Sequence, residues 1–523
     1  QCLTAIFVHT DMKRTGSIHG GDGGGDDIAA TGTSTRTAQI LALIHKSVVQ
    51  TQLCNVHSLP TDCPTREKRG WMGDAQWTAE EASLNFDTSA FYANFLRTIG
   101  DVQMKGCRVT SKQYALEPPY HTCCSPTLDQ IHPVSEGVFS VFHFKTFDLT
   151  SLSPSASYHS CIPTQTIFQC SPMSAGAKDT SGSVPDVVPE LWGTGGGRGY
   201  PGAPVWASAL VAISDAVNAR FGARSDAIKQ RWPNLVAYMA FNKRQAAFAP
   251  GTTLPQYGLL GDWLASQALC PGSSDTCLKH PGFIRGNPTS AFQYILDLES
   301  MVVIATALNE TAAAAAYAAD LAAAPAAYHA VFFNATRGDY GPQQTANMMP
   351  LFIGAVPTEH KAGVVKALAD SLNAWGPDDG PHPSGGGVGV RWILQALVAS
   401  NETKLALDLA SQTSMPSFGH FALSPPGTFW EGWNTGDPTG NHGSMNHIML
   451  AGGVDPWIYH HACGLRVPSA ARGALGFGRG TGRVAAGVID VGVEEVIARR
   501  VGGCAAALHV PGGTARVVWT YHD

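Results

Sequence analysis

Charge is scarce in this chain. Only 14% of its 523 residues are Asp, Glu, Lys or Arg, and the formal net charge is −6. No basic patch is available for nucleic acid and no Lys/Arg run for an anionic membrane surface; Arg499-Arg500 is too short to serve. Long apolar runs are missing too. None reaches the roughly 18–20 residues of a membrane-spanning helix. The most apolar stretch, Ile295 to Leu308, is interrupted by Asp297, Glu299 and Ser300 and reads as a packed helix. The twelve cysteines contain no CxxC pair, which argues against a zinc ribbon. Neither an HExxH nor an EF-hand loop occurs. His460 and His461 are adjacent, and neighbours on a helix point apart, so they cannot converge on one ion. Gly20–Gly25 holds five glycines but is followed by no GK[ST], so it is not a phosphate loop. The sequence thus calls for no metal and no cofactor, and no Ser or Cys nucleophile motif stands out.

What is present is a dense cluster between residues 62 and 76. Asp62, Glu67 and Asp74 stand close together, with Arg66, Arg69 and Trp71 between them. Carboxylates can donate or withdraw protons, and an indole offers a flat apolar face to the C–H face of a pyranose. A salt-bridged surface loop is the plainer reading of such a cluster. Pro64, Gly70 and Gly73 punctuate it, which predicts a shaped loop rather than a charged helix face.

The run Leu59-Pro60-Thr61-Asp62-Cys63-Pro64-Thr65-Arg66-Glu67-Lys68-Arg69-Gly70-Trp71-Met72-Gly73-Asp74-Ala75-Gln76 resembles the signature of the family 78 glycoside hydrolases, the α-L-rhamnosidases. A second block, Thr428-Phe429-Trp430-Glu431-Gly432-Trp433 followed by Gly443-Ser444-Met445-Asn446-His447, is similar to that family's second catalytic segment. Between them, Ser183 to Pro189, Gly261 to Leu264 and Gln344 to Asn347 fall in the family's order. The resemblance runs from about residue 8 to about 465. It implies an inverting hydrolase that removes terminal α-L-rhamnose from glycans or glycosides, with a rhamnose-containing carbohydrate as its partner. Glu67 matches the general acid and Glu431 the general base. In an inverting pair the two carboxyls stand roughly 6.5–9.5 Å apart, leaving room for the attacking water. The acid needs a raised pKa, which burial or Asp62 and Asp74 could supply, while Arg66 pulls the other way. Asp62, Arg66, Asp74, Asp262 and His447 match sugar-binding positions, and Trp71, Trp206 and Trp263 match aromatic ones. The segment Gly202 to Ala207 departs from the family, which has an Asp or Gly close to the tryptophan that Trp206 matches. Without the resemblance, a glutamate flanked by tryptophans reads as a surface residue. Cys63 lies inside the acidic signature, where a depressed thiol pKa is not expected.

Helical spacing recurs at 36–56, 88–103, 204–221, 226–242, 289–308, 312–330, 359–374, 389–400, 403–411 and 444–463. So many helices with so little strand pattern predict a mainly α toroid or solenoid. The resemblance specifies an (α/α)6 barrel with flanking β segments. The expected organisation is the end of an upstream β-domain and a linker over 1–35, the barrel over 36–465, and part of a C-terminal β-sandwich over 466–523. Residues 106–181, rich in Ser, Thr, Pro and Cys, read as an insertion held by disulfides. Cys270 and Cys277 flank a short loop that a disulfide could staple. Pro511-Gly512-Gly513 between two β-type runs predicts a hairpin.

The cysteines, together with the sequons at Asn309, Asn334 and Asn401, point to a secreted, disulfide-bonded glycoprotein. The chain starts at Gln1, and the expectation is that upstream sequence, a secretion signal included, belongs to the longer protein. The competing reading is a catalytically silent relative serving as a glycan-binding or structural component of an extracellular assembly. Retention of both Glu67 and Glu431 favours the enzyme.

Overall fold

The structure, a computed structural model, describes residues 9–19, 35–105, 108–109, 178–190, 200–222, 226–246, 252–258, 260–265, 286–374, 380–433, 443–466, 490–510 and 513–521. Five helices are buried on nearly every face and form most of an inner ring. They are α2 (Met72–Asn85), α5 (Ala209–Phe221), α7 (Gly286–Ala307), α9 (Gln344–Phe352) and α11 (Gly387–Ala399). The broken segment 449–462 is the sixth element of the ring. Outside lie α1 (Arg36–Cys54), α3 (Ser89–Val102), α6 (Asp226–Ala246), α8 (Thr311–Phe332), α10 (Thr358–Leu372) and α12 (Thr403–Ala410). These bury only a stripe; in α8 that stripe is Ala324 and Tyr328. Two concentric rings of alternating helices make the toroid expected. Short α4 (Pro204–Ala207), α13 (Phe418–Leu423), α14 (Val454–Trp457) and α15 (Glu495–Val501) complete the helices.

Three departures from the sequence reading have physical causes. Helices α2 and α9 show no amphipathic period because polar side chains occupy their buried faces. Gln76, Thr78, Glu81, Ser83 and Asn85 are all buried in α2, and Gln344, Thr345 and Asn347 in α9. Gly73 sits inside α2, so it is not a loop residue. Its Cα faces the Trp206 indole, and a Cβ there would lie 2.7 Å from Nε1. The helix expected over 444–463 is instead a 3-10 turn at Met449–Ala451, then α14, then a π turn at Ile458–Ala462. Gly452 and Gly453 lie at its centre, where three inner elements touch. A Cβ at Gly452 would stand 2.1 Å from the Trp77 carbonyl oxygen, and one at Gly453 2.2 Å from that of Val390.

Strands lie at the edges. β1 (Gly16–His19) pairs antiparallel with β6 (Gly503–Val510), which pairs with β7 (Gly513–Thr520) in the expected hairpin. Both ends of the chain therefore meet in one three-stranded sheet, with Gly16 opposite Leu508. A disulfide, Cys463–Cys504, ties β6 to the end of the inner ring. Thr35 caps α1 by accepting from the Ala38 amide at 3.1 Å, and its hydroxyl donates to the Val501 carbonyl of α15. Segment 106–181 leaves and returns at one point, where β2 (Arg108–Val109) pairs with β3 (Lys178–Asp179). β4 (Leu465–Arg466) pairs with β5 (Asp490–Val491). The Cys270–Cys277 staple and the disulfides of the insertion lie outside the described residues. No helix among the described residues is long and apolar enough to cross a membrane.

Substituting Gly452 by Ala is expected to destabilise the protein by about 1–3 kcal/mol, because a methyl must be forced against backbone rather than a movable side chain. Urea unfolding of the two proteins measures it.

Candidate active site

The 62–69 loop closes on itself. Asp62 N–H donates to the Arg69 carbonyl at 3.0 Å, and Arg69 N–H returns a bond to Asp62 Oδ1 at 2.7 Å. Lys68, with φ +57°, turns the chain back so that its N–H reaches the Cys63 carbonyl. Gly70 then passes against Val188, whose carbonyl oxygen would lie 1.9 Å from any Cβ. Val188 N–H donates to Gly70 O, and Met72 N–H to Asp186 O. The Pro185-to-Val188 stretch thus holds the exit of the loop and the start of α2. Asp74 falls in the first turn of that helix.

Arg66 joins the two halves of the site. Its Nη2 donates to both oxygens of Glu431 at 2.5 Å and lies 3.2 Å from Glu67 Oε1. Glu431 is only 8% exposed, which rules out the surface reading. Its Oε2 also accepts from the Ser444 amide at 2.7 Å, and its own N–H donates to the Ser444 carbonyl. Thr65 and Ser444 hydroxyls share a 2.8 Å bond that seals the two loops together. The flanking tryptophans are anchors. Trp430 packs edge-on to His420, and Trp433 stacks on Phe421 while its indole N–H donates to Gly385 O at 2.7 Å.

Glu67 accepts the Trp71 indole N–H on Oε2 at 2.7 Å. The half-buried Trp71 therefore orients the carboxylate, a role its identity as an aromatic plate did not reveal. Asp62 is 1% exposed and receives Cys63 Sγ–H on Oδ2 at 3.0 Å. Asp74 is buried, and burial, followed by the charges of Asp62, Glu431 and Glu67, holds its carboxyl well above the usual range. His447 is buried beside it, with Nδ1 3.5 Å from Asp74 Oδ1. Burial lowers the His447 imidazole pKa against the pull of Glu431, Asp62 and Glu67. Its Nδ1 accepts the Met449 amide at 3.3 Å, which assigns the proton to Nε2. Both shifts run against an ion pair between Asp74 and His447.

Trp206 is buried, edge-on to Trp77 at 5.0 Å and to the half-buried Trp263 at 6.4 Å, with its indole against Gly73. It reaches the site through that contact with the first turn of α2. Asp262 is fully buried and spends both oxygens on the frame. Oδ2 accepts from the Thr345 hydroxyl at 2.5 Å and the Gly386 amide at 3.0 Å, and Oδ1 accepts from the Gly389 amide at 2.9 Å. It caps the start of α11. The Gln344-to-Asn347 motif is framework as well: Gln344 bridges His382 O and the Ser384 amide. Sequence reasoning gave no role to Ser444 or Cys63, although both lie within the quoted motifs.

No group of three or more His, Cys, Asp or Glu able to hold a metal occurs among the described residues. His460 bonds Glu80 Oε1 and the Leu465 carbonyl, and His461 stacks on Trp457, so the pair does point apart.

This arrangement can be set beside known proteins. The model of the bacterial alpha-L-rhamnosidase 6 hairpin glycosidase domain matches residues 29–127 and 148–462. The chain belongs to this α-L-rhamnosidase family. An alpha-L-rhamnosidase of Streptomyces avermitilis is 22% identical over 432 residues, which cover 82% of this chain and 32% of that protein. One of Formosa agariphila is 33% identical over 97 residues, 18% of this chain and 8% of the relative. The chain thus spans about a third or less of the curated relatives it matches. Solved structures agree in fold. The alpha-L-rhamnosidase of Dictyoglumus thermophilum superposes with a TM-score of 0.66 at 22% identity, covering 98% of this chain and 44% of its own. That of Streptomyces avermitilis, complexed with L-rhamnose, gives 0.65 at 18% identity, covering 98% and 37%. The likeness to the family 78 glycoside hydrolases seen in the motifs holds over the whole helical toroid.

Asp74→Asn gives a stability test of the site. The unfolded carboxyl ionises above about pH 4 while the buried one stays protonated, so the native state is penalised increasingly as pH rises from there to the folded pKa. The variant is expected to exceed the wild type by roughly 1–3 kcal/mol in urea unfolding at pH 7, with the difference vanishing towards pH 4.

Proposed function

We propose that the chain is an inverting α-L-rhamnosidase that removes terminal α-L-rhamnose, with Glu67 as general acid and Glu431 as general base. The supporting observation is that one guanidinium, Arg66, gathers both carboxylates from loops far apart in the chain; their bridged oxygens stand less than about 6 Å apart, so substrate must displace Arg66 and part the pair to the roughly 6.5–9.5 Å that the attacking water needs. As general acid, Glu67 gives a proton to the glycosidic oxygen as the C1–O bond breaks. Glu431, held by Arg66 and the Ser444 amide, takes a proton from the water that attacks C1 on the opposite face. The sugar leaves with inverted configuration. Asp62, neutral Asp74 and the Nε2–H of His447 bind its hydroxyls: an ionised carboxylate accepts, a protonated one donates, and an imidazole N–H donates. Trp71 holds Glu67 and offers its ring to the sugar.

We also propose that the protein is secreted and glycosylated. The Cys463–Cys504 disulfide suits an oxidising compartment, and Asn309, Asn334 and Asn401 are all exposed at turns between helices. The alternative of a silent extracellular scaffold has no structural observation of its own to favour it.

Release of nitrophenol from p-nitrophenyl α-L-rhamnoside is the test. Glu67→Gln and Glu431→Gln are each expected to lower kcat by about 10²–10⁴-fold. NMR of the first-formed rhamnose should show the β anomer. A folded wild type inactive on this and other nitrophenyl glycosides would overturn the assignment.

A further inference from the structure

Cys63 occupies the centre of the catalytic loop, fully buried, between two groups of the proposed site. Its Sγ–H donates to Asp62 Oδ2 at 3.0 Å, and its Sγ accepts the backbone N–H of Glu67 at 3.3 Å. Each partner has a second fixed bond. Asp62 Oδ1 takes the Arg69 amide at 2.7 Å, and the Glu67 carboxylate takes the Trp71 indole N–H at 2.7 Å. The thiol is the atom shared by the two systems. Burial, then the hydrogen bond to and the charge of Asp62, pushes it up to about 11, so at neutral pH it is an S–H donor and not a thiolate.

We propose that Cys63 is a positioning residue that couples the sugar-binding carboxylate Asp62 to the general acid Glu67. The inference rests on the rhamnosidase reading of the site. Both contacts come from a single atom, so a shift of either carboxylate-bearing residue is transmitted to the other. A side chain without hydrogen-bonding capacity leaves the buried Asp62 Oδ2 and the half-buried Glu67 amide unpaired, and frees the loop to shift. A displacement of the order of 1 Å costs a catalytic arrangement about a hundredfold in rate.

The test compares Cys63→Val, which adds a methyl's bulk but removes the donor and acceptor, and Cys63→Ser, which keeps both, in the full chain with p-nitrophenyl α-L-rhamnoside. Cys63→Val is expected to lose roughly ten- to hundredfold in kcat/KM, with KM raised and kcat lowered together. The basic limb of its pH profile, which reports the acid, should also be displaced. Cys63→Ser should recover most of the loss and the wild-type profile. A folded Cys63→Val with wild-type kcat, KM and pH profile overturns the proposal, and so does a Cys63→Ser no better than Val. Should Val not fold, hydrogen exchange of the wild type reads the same bond. A Glu67 amide that exchanges slowly supports the coupling, and one that exchanges as an open loop does overturns it. An inactive wild type would instead count against the rhamnosidase reading and is told apart by that result alone.

Discussion

The site depends on keeping several carboxyl groups close together in a mostly buried place. Asp62, Asp74, Glu67 and Glu431 would repel one another if all were ionised and unpartnered. The structure handles each differently. Arg66 neutralises Glu431 and touches Glu67. Asp62 is ringed by the Arg69 amide and the Cys63 thiol. Burial and its charged neighbours push the Asp74 carboxyl well above the usual range. The loop geometry follows from these demands: a left-handed Lys68, a glycine at 70 where backbone meets backbone, and Ser444 presented to Glu431.

That cluster needs a rigid floor, and the inner ring supplies it. Asp262 ties the start of α11 to Thr345 of α9. Gln76 of α2 bonds Gln293 of α7, which bonds Asp297, and the Ser208 hydroxyl at the head of α5 bonds Asp297 in turn. Burial pushes Asp297 up to about 7. Polar side chains thus cross-link helices where a purely apolar core would only fill space, and every missing partner would be costly. The Trp77–Trp206–Trp263 cluster joins this floor to the first turn of α2.

The rings themselves were legible where apolar residues line the buried faces, which holds for the inner helices α5, α7 and α11 as well as the outer ones. The outer helices α3, α6, α8, α10 and α12 follow their apolar spacing to within a few residues. Helices α2 and α9 were hidden because polar residues fill their buried faces, and such residues look like loop. Residues 444–463 looked helical because local spacing cannot register that Gly452 lies against the backbone of another helix.

By itself the sequence determined the chemistry on offer: which carboxylates, which indoles and which loop residues could be brought to one site, and that helices would carry them. The motifs at 62–76 and 428–447 specified composition because those side chains must be those types. Only the tertiary structure decided how they are used. It set Trp71 against Glu67, committed Asp262 to a helix cap, buried Asp74 so that its carboxyl is raised, turned His447 Nδ1 to the Met449 amide, and joined Cys463 to Cys504. Each of these depends on contacts between residues far apart in the chain, or on the loss of water around a group. Neither distance nor burial is written in local sequence.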